Sequence, residues 1–519
     1  MTATGLGFWK LAQEEPNHIA IIEPSGREIT AGALLAGANQ VVHGLRALGL
    51  KRGDAIAVAL KNETAALELY LAATQAGLYF TPINSHLTAS EIAYILADCD
   101  AKAFFCCDAT AEAARKAAED IQFPASARFT TSGDVPGFLP YAALKAGQPA
   151  TNPPDRKAGA PMTYTSGTTG RPKGVRRPLA DCEPELVAGP LAQFLMLFGI
   201  TPRDHGVHLV VSPLYHTAVL SFASNHLHMG HTLVLMEKWT PEGTLDLIEK
   251  YKVTTSHMVP TQFRRLLALP DAVKQGRNFS SLRHMIHSAA PCPVDVKHAM
   301  LKWWGPVIYE YYSASEGGGT TATPTDWLAH PGTVGKAWPI SQIKVIRDDG
   351  SDADVGEVGT VYISMGQHKF EYFKDQEKTK NSWRGSFFTV GDAGYLDKDG
   401  FLFLCDRKSD MIISGGVNIY PAEIESVLCG HPKVGDVAVF GIPDEDWGEQ
   451  VKAVVEPAAG TEPSPELAQE ILAFCKQHLA AFKVPRTVDF LPALPRDPNG
   501  KLYKRKLRDP YWAGRDRAI

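Results

Sequence analysis

Residues 163–174 read TYTSGTTGRPKG, and the parsing of the whole chain turns on this stretch. Thr165, Ser166, Thr168 and Thr169 bring hydroxyl donors. Gly167, Gly170 and Gly174 let backbone N–H groups converge without Cβ obstruction, the makings of an anion nest. Lys173 adds a compact charge suited to phosphate. Clusters of serine, threonine and glycine are usually plain loops. This one follows a short apolar lead, PMTY, and closes on a cation, which favours a phosphate loop. It is not a Walker A motif. Pro172 before the lysine and Gly174 after it break G-x-x-x-x-G-K-[ST], so a P-loop kinase is disfavoured.

Around the loop, strand-like and helix-like segments alternate. AIAVAL (55–60) and YFTPIN (79–84) read as strands on either side of the helical ETAALELYLAATQAG. TASEIAYILADCD opens with Thr88-x-x-Glu91, a capping-box spacing, and carries apolar residues at helical period. AKAFFCC is a further strand, and TAEAARKAAEDI a further helix. HGVHLVVSPL, HTLVLM, TTSHMV and LRHMIHS read as strands, with TLDLIEKYK and TQFRRLLAL helical between them. Pro241 after Thr240 marks a helix start. Alternation on this scale predicts mostly parallel sheets covered on both faces by helices.

Near residue 340 the texture changes to hairpins, IKVIRDDGSDADVGEVGTVYIS and GYLDKDGFLFLCDR, with DG turns. Beyond Asp406 follows a smaller α+β pattern: helix PAEIESVLCG, strands VGDVAVFGI and QVKAVVEP, helix SPELAQEILAFCKQHLA, and a basic tail. The expected organisation is a large α/β N-terminal domain, 1–405, and a smaller α+β C-terminal domain, 406–519. The large domain should hold two helix-covered, mostly parallel sheets and a small β-barrel-like subdomain.

Composition narrows the function. The chain has 519 residues, 45% hydrophobic and 21% charged, ordinary for a globular protein and too long for one core. A net charge of -5 and a pI near 6.4 supply no field for nucleic acid or anionic lipid. MTATGLGFWKLAQEEPN lacks the apolar core of a signal peptide, and no run of 18 apolar residues exists, so no transmembrane segment is expected. The eight cysteines contain no C-x-x-C pair, which disfavours zinc or a disulfide framework; reduced thiols in a cytoplasm are expected.

TSGTTGRPKG resembles the signature loop of the acyl-adenylate-forming (AMP-binding) enzymes, which include acyl-CoA synthetases, peptide-synthetase adenylation domains and firefly luciferase. The resemblance demands further signatures in a fixed order, and they follow from about residue 30 to 507. SPLYHT (212–217) resembles the segment lining the acyl pocket, placing His216 beside the carboxylate. HSAAPCP (287–293), with Ala290, resembles the loop along the adenosine. EYYSASEGG (310–318) resembles the aromatic-Gly-x-Thr-Glu pattern, with Ser313 and Ser315 standing for glycine and threonine. By that resemblance Tyr312 stacks on adenine, with Glu310 and Tyr311 in the same nucleotide segment. Ser315 meets phosphate, and Glu316 holds Mg2+. Asp392 in FFTVGDAGYLDKDG (387–400) accepts both ribose hydroxyls, as a carboxylate can. In LCDRKSDMIISGGVNIYPAEIE (404–425), Arg407 and Asn418 approach the nucleotide, Asp406 is the hinge, and Ser414, Gly415 and Gly416 line the pantetheine tunnel. LPRDPNGKLYKR (494–505) resembles the Pro-Arg-Thr-x-x-Gly-Lys pattern, with Asp497 in the threonine position, which makes Lys501 the mobile catalytic lysine.

The implied chemistry is attack of a carboxylate on the α-phosphate of ATP, then transfer of the acyl group to a thiol. An anion must approach a polyanion, so cations carry the catalysis. The Gly-Gly loop and the free-standing length favour coenzyme A as acceptor. Ala218, Ala289, Phe222 and Ser313 fall at acyl-pocket positions, which points to an apolar acid of medium to large size: fatty, aryl or steroid-like. A luciferase-like oxygenase, a carrier-protein ligase and a non-catalytic nucleotide-binding regulator stand as alternatives. Monomer and homodimer are both left open.

Overall fold

The structure is a computed structural model and describes residues 5–165, 172–366, 368–407, 410–496 and 502–513. Six parallel strands make the first sheet, in the order Leu139–Pro140, Arg128–Thr130, Ala101–Cys106, Ala55–Ala59, Tyr79–Pro82 and Ala160–Pro161. The second sheet has nine strands. Its parallel centre runs Ile308–Ala314, His284–His287, Thr255–Met258, Val207–Val210, Thr232–Leu235 and Ile19–Ile22, with antiparallel strands at both edges.

One core joins the two sheets. Ile56, Val58, Phe80 and Phe105 from the first meet Ile21, Val210, Leu233 and Leu235 from the second, through helices Ala31–Ala47, Thr64–Gln75 and Thr217–Met229. The middle position of Thr64–Gln75 explains its composition: all its residues except Ala65 are buried, so it is apolar all round rather than on one stripe. Thr88 caps its helix as the spacing predicts, its N–H and hydroxyl both donating to Glu91 at 2.8 and 2.7 Å.

The hairpin region folds as an antiparallel six-stranded sheet over residues 342–407. Asp399-Gly400 closes a tight turn, with Gly400 N–H on the Asp397 carbonyl at 3.1 Å. The other DG pair differs from expectation. Gln342–Ile346 does pair with Gly359–Ser364, but Asp349-Gly350 forms a small nested turn inside a longer connection, because Arg347 N–H already bonds the Ser351 carbonyl at 2.9 Å. The C-terminal part holds a five-stranded sheet with helices Pro421–Cys429 and Pro465–His478 and its own apolar core.

This topology positions the site. Loops and ligands of parallel sheets collect beyond the carboxyl ends of the strands. SPLYHT leaves the end of Val207–Val210, HSAAPCP the end of His284–His287, and Ser315-Glu316 the end of Ile308–Ala314.

Candidate active site

The ends of the phosphate loop form an antiparallel ladder, with Thr163, Tyr164 and Thr165 opposite Val175, Gly174 and Lys173. Helix Ala89–Asp98 braces it: Tyr164 Oη donates to Asp98 at 2.6 Å, and Tyr94 Oη to the Pro172 carbonyl at 3.1 Å. The stem is strand-to-strand, which a strand-to-helix P-loop is not. Ser166, Gly167, Thr168 and Thr169 lie outside the described residues. Lys173 pairs with Asp375 at 3.1 Å, and this contact raises its pKa.

Glu316 stands in the turn between Ile308–Ala314 and Gly317–Ala322. The turn depends on glycine: at Gly319, with φ 157°, a Cβ would lie 2.0 Å from the Tyr312 carbonyl oxygen. Ser313, placed at an acyl-pocket position by the resemblance, also braces this turn, donating to the Gly318 carbonyl at 2.7 Å. Arg177, on the segment leaving the phosphate loop, donates to the Ser315 and Glu316 carbonyls at 2.7 and 2.9 Å. The Glu316 carboxylate is 7% exposed and accepts from Tyr372 Oη at 2.7 Å. Burial, then the Glu316 charge, pushes the Tyr372 phenol well up, so it stays a donor. Ser315 Oγ lies 3.3 Å from Thr217 Oγ1. The second Glu316 oxygen accepts no hydrogen bond among the described residues, and a hard carboxylate oxygen of this kind fits Mg2+.

On the opposite wall, Tyr312 Oη donates to Asp392 at 2.6 Å, and Arg407 Nε lies 3.5 Å from the same carboxylate. Asp392 and Arg407 face each other in one antiparallel register. Burial, followed by the Asp392 charge, holds the Tyr312 phenol well above its ordinary range. Three motif residues spread over 96 positions of sequence thus share one spot.

The neighbours of Tyr312 go elsewhere. Glu310 forms a buried ion pair with Lys297 at 2.6 Å, and Lys297 lies 4.6 Å over the Trp327 ring. The Glu310 side chain therefore serves the core, and its backbone lies in the sheet between His287 and Ala322. Tyr311 turns the other way, into a ring of Phe194, Phe198 and Phe222. Its Oη lies 3.4 Å from His257. Lys297→Met should destabilise the protein by about 3–5 kcal/mol, because it strands a buried carboxylate. Adding Glu310→Leu should restore most of that loss in urea unfolding.

At the acyl side, His216 precedes helix Thr217–Met229, its ring 4.3 Å from that of Tyr215. Ala218 lies in the helix's first turn, and Phe222 one turn on is fully buried, stacked on His257 at 4.9 Å. Ser288 Oγ meets His257 Nε2 at 2.9 Å and anchors the adenosine loop. The next residue, Ala289, holds φ 72°, a left-handed backbone rare for a residue with a Cβ; such strain gathers at functional sites.

In the C-terminal part, Asp406 accepts from the Arg407 and Ala422 N–H groups at 2.7 and 2.9 Å, so the expected hinge residue caps helix Pro421–Cys429. Ser414 pairs with Gly448, and Gly415, Gly416 and Asn418 are exposed. Lys501 lies outside the described residues. Beside it, Arg496 and Leu502 pair as an isolated bridge, and Arg496 is anchored by Asp436 at 2.5 and 2.8 Å. Sequence reasoning missed Arg177, Tyr372, Asp375 and Lys378. Arg177 had a faint signal, four residues past Lys173 with the same charge; the others had none.

Two profiles, "AMP-binding enzyme" and "AMP-binding enzyme C-terminal domain", match residues 8–371 and 423–501. The fatty acid–[acyl-carrier-protein] ligase ScoC of Streptomyces coeruleorubidus is 32% identical, covering 98% of this chain and 96% of its own. The long-chain-fatty-acid–CoA ligase FadD13 of Mycobacterium tuberculosis is 32% identical, covering 97% and 98%. The structure of the o-succinylbenzoate CoA synthetase MenE of Bacillus subtilis, bound to its acyl-adenylate intermediate, superposes with a TM-score of 0.82 at 27% identity, covering 97% and 98%.

Proposed function

The chain belongs to the AMP-binding enzyme family and is an AMP-forming acid–thiol ligase, and from that premise we propose that it joins an apolar medium-to-large carboxylic acid to coenzyme A through an acyl-adenylate. One observation carries the reading: beside the phosphate-loop stem, the Lys173–Asp375 pair and Lys378, which lies over the ring of Tyr372, meet the Tyr372-bonded carboxylate of Glu316. That is a site for a metal and a polyphosphate. When bound, Mg2+ on Glu316 neutralises phosphate charge as a Lewis acid. The chain's own groups do the rest. Tyr312, Asp392 and Arg407 orient the nucleoside, Ser315 faces the α-phosphate, and Lys173 holds the pyrophosphate end. The rings of Phe194, Phe222 and Tyr311 support an apolar acid, fatty or aromatic. No helix among the described residues is long and apolar enough to cross a membrane. All eight cysteines are free.

A panel of carboxylic acids, scored by AMP release with coenzyme A and by pyrophosphate exchange into ATP without it, tests the function. No exchange with any acid would favour the regulator. The likeness to ScoC supports a second acceptor, an acyl-carrier thiol, so the same panel should be run with a loaded carrier protein. Thioester formation on the carrier but not on coenzyme A would replace the proposed acceptor.

We place the hinge at Asp406 and the catalytic lysine at Lys501. Lys501→Ala should lower adenylation by roughly 10²-fold or more, as loss of one charge-stabilising donor does elsewhere. It should spare thioester formation from supplied acyl-adenylate. Equal loss of both steps would contradict rotation of the small domain about Asp406.

A further inference from the structure

Helix Gln376–Ser382 starts at Asp375, whose carboxylate accepts from Lys378 N–H at 3.0 Å. The Lys378 side chain is half-buried and bends back over the Tyr372 ring, with Nζ 4.2 Å from the centroid. That ring's hydroxyl is bonded to Glu316. Among the described residues the Lys378 ammonium has no carboxylate or hydrogen-bond acceptor of its own, although water would satisfy it at an ordinary surface position.

Charge counting shows what the group is for. Glu316 and Asp375 bring two negative charges to this corner; Lys173, already paired with Asp375, and Arg177, held on the Ser315 and Glu316 carbonyls, bring two positive ones. Without a further cation the corner would be no better than neutral, a poor receiver for a triphosphate. We propose that Lys378 is an additional catalytic residue that binds the β- and γ-phosphates of ATP and the departing pyrophosphate. This rests on the ligase reading and extends it. The ring holds the lysine head, Nζ 4.2 Å from its centroid, without using its N–H donors, as a cation–π contact allows. Lys173 and Lys378 then approach the polyphosphate from two segments, the loop stem and the helix after Tyr372.

The test is nucleotide binding by calorimetry with Mg2+, using ATP and AMP, on the full chain and on Lys378→Met, which keeps an unbranched side chain of similar length and removes the charge. ATP affinity should fall about tenfold to a hundredfold, the usual weight of a charge-assisted bond. AMP affinity should stay within twofold. In pyrophosphate exchange the KM for pyrophosphate should rise by a similar factor, and Lys378→Arg should recover most of both. Equal changes for ATP and AMP, or no change for either, would overturn the role of Lys378 alone. A wild-type chain that binds neither nucleotide would overturn the ligase reading with it.

Discussion

Glu316→Gln should reduce acid-dependent pyrophosphate exchange by roughly 10²–10³-fold, the loss typical when one preorganised charge-stabilising group is removed. The substitution isolates charge from shape. Glutamine has nearly the same volume, its carbonyl can still accept from Tyr372 Oη, and the Arg177 bonds go to backbone carbonyls that do not change. What disappears is a carboxylate that is 7% exposed beside Lys378, and with it the hard oxygen charge proposed for Mg2+. Denaturant stability should therefore hold while exchange collapses. Thioester formation from supplied acyl-adenylate should stay within a few-fold of wild type, because no pyrophosphate is handled in that step. Exchange within threefold of wild type would remove Glu316 from the metal site.

Acidification should unfold the protein well above the usual carboxylate range. Among the nearly inaccessible histidines of the described residues are His208, His226, His228, His257 and His287. Burial pushes all five below the ordinary 6.5, His228 and His257 to about 3. Two of them, His208 and His226, sit in one network with His231. His208 Nδ1 lies 2.9 Å from Thr255 Oγ1 and its ring stacks on His226 at 4.1 Å, while His226 Nδ1 meets His231 Nδ1 at 2.8 Å. A nitrogen-to-nitrogen bond needs one partner unprotonated at that atom.

The sign follows from proton counts. Below pH 6.5 the unfolded chain protonates these rings and the folded one does not, so stability is full above 6.5 and falls with pH down to the folded pKa values. Each ring contributes about 1.4 kcal/mol per pH unit, and the five together about 7 kcal/mol one unit below 6.5. That is comparable with the 5–15 kcal/mol of a typical domain. Glu63, Glu310 and Glu425, raised by burial, act in the opposite sense below neutrality and soften the slope. Urea midpoints measured from pH 7.5 to 5 should drop steeply below 6.5; a flat profile to pH 5.5 would show that water reaches these rings.

Much of the site was legible because adenylate chemistry is written in local runs. Glycine, hydroxyl and lysine in one loop announce phosphate, and Ser315-Glu316 after an aromatic strand announces the turn where a carboxylate belongs. Alternating apolar runs likewise identified three strands of the first sheet and four of the second. Legibility ended where a side chain's role depends on its facing. Glu310, Tyr311 and Tyr312 are consecutive, yet they face Lys297, an aromatic cluster and Asp392 in turn. Nothing in the run EYY says which is which.

By itself, the sequence determined the family and the class of fold and nominated the residues proposed to handle ATP, since these depend on residue type and spacing within short segments. Only the tertiary structure decided that Tyr372 steadies Glu316, that Asp375 neutralises Lys173, that Ser313 braces a turn and that Lys378 lies over the Tyr372 ring. Those pairings join segments up to 202 residues apart, as Lys173 and Asp375 show. Burial, which sets the worth of every charge among them, exists only once the sheets have closed over it.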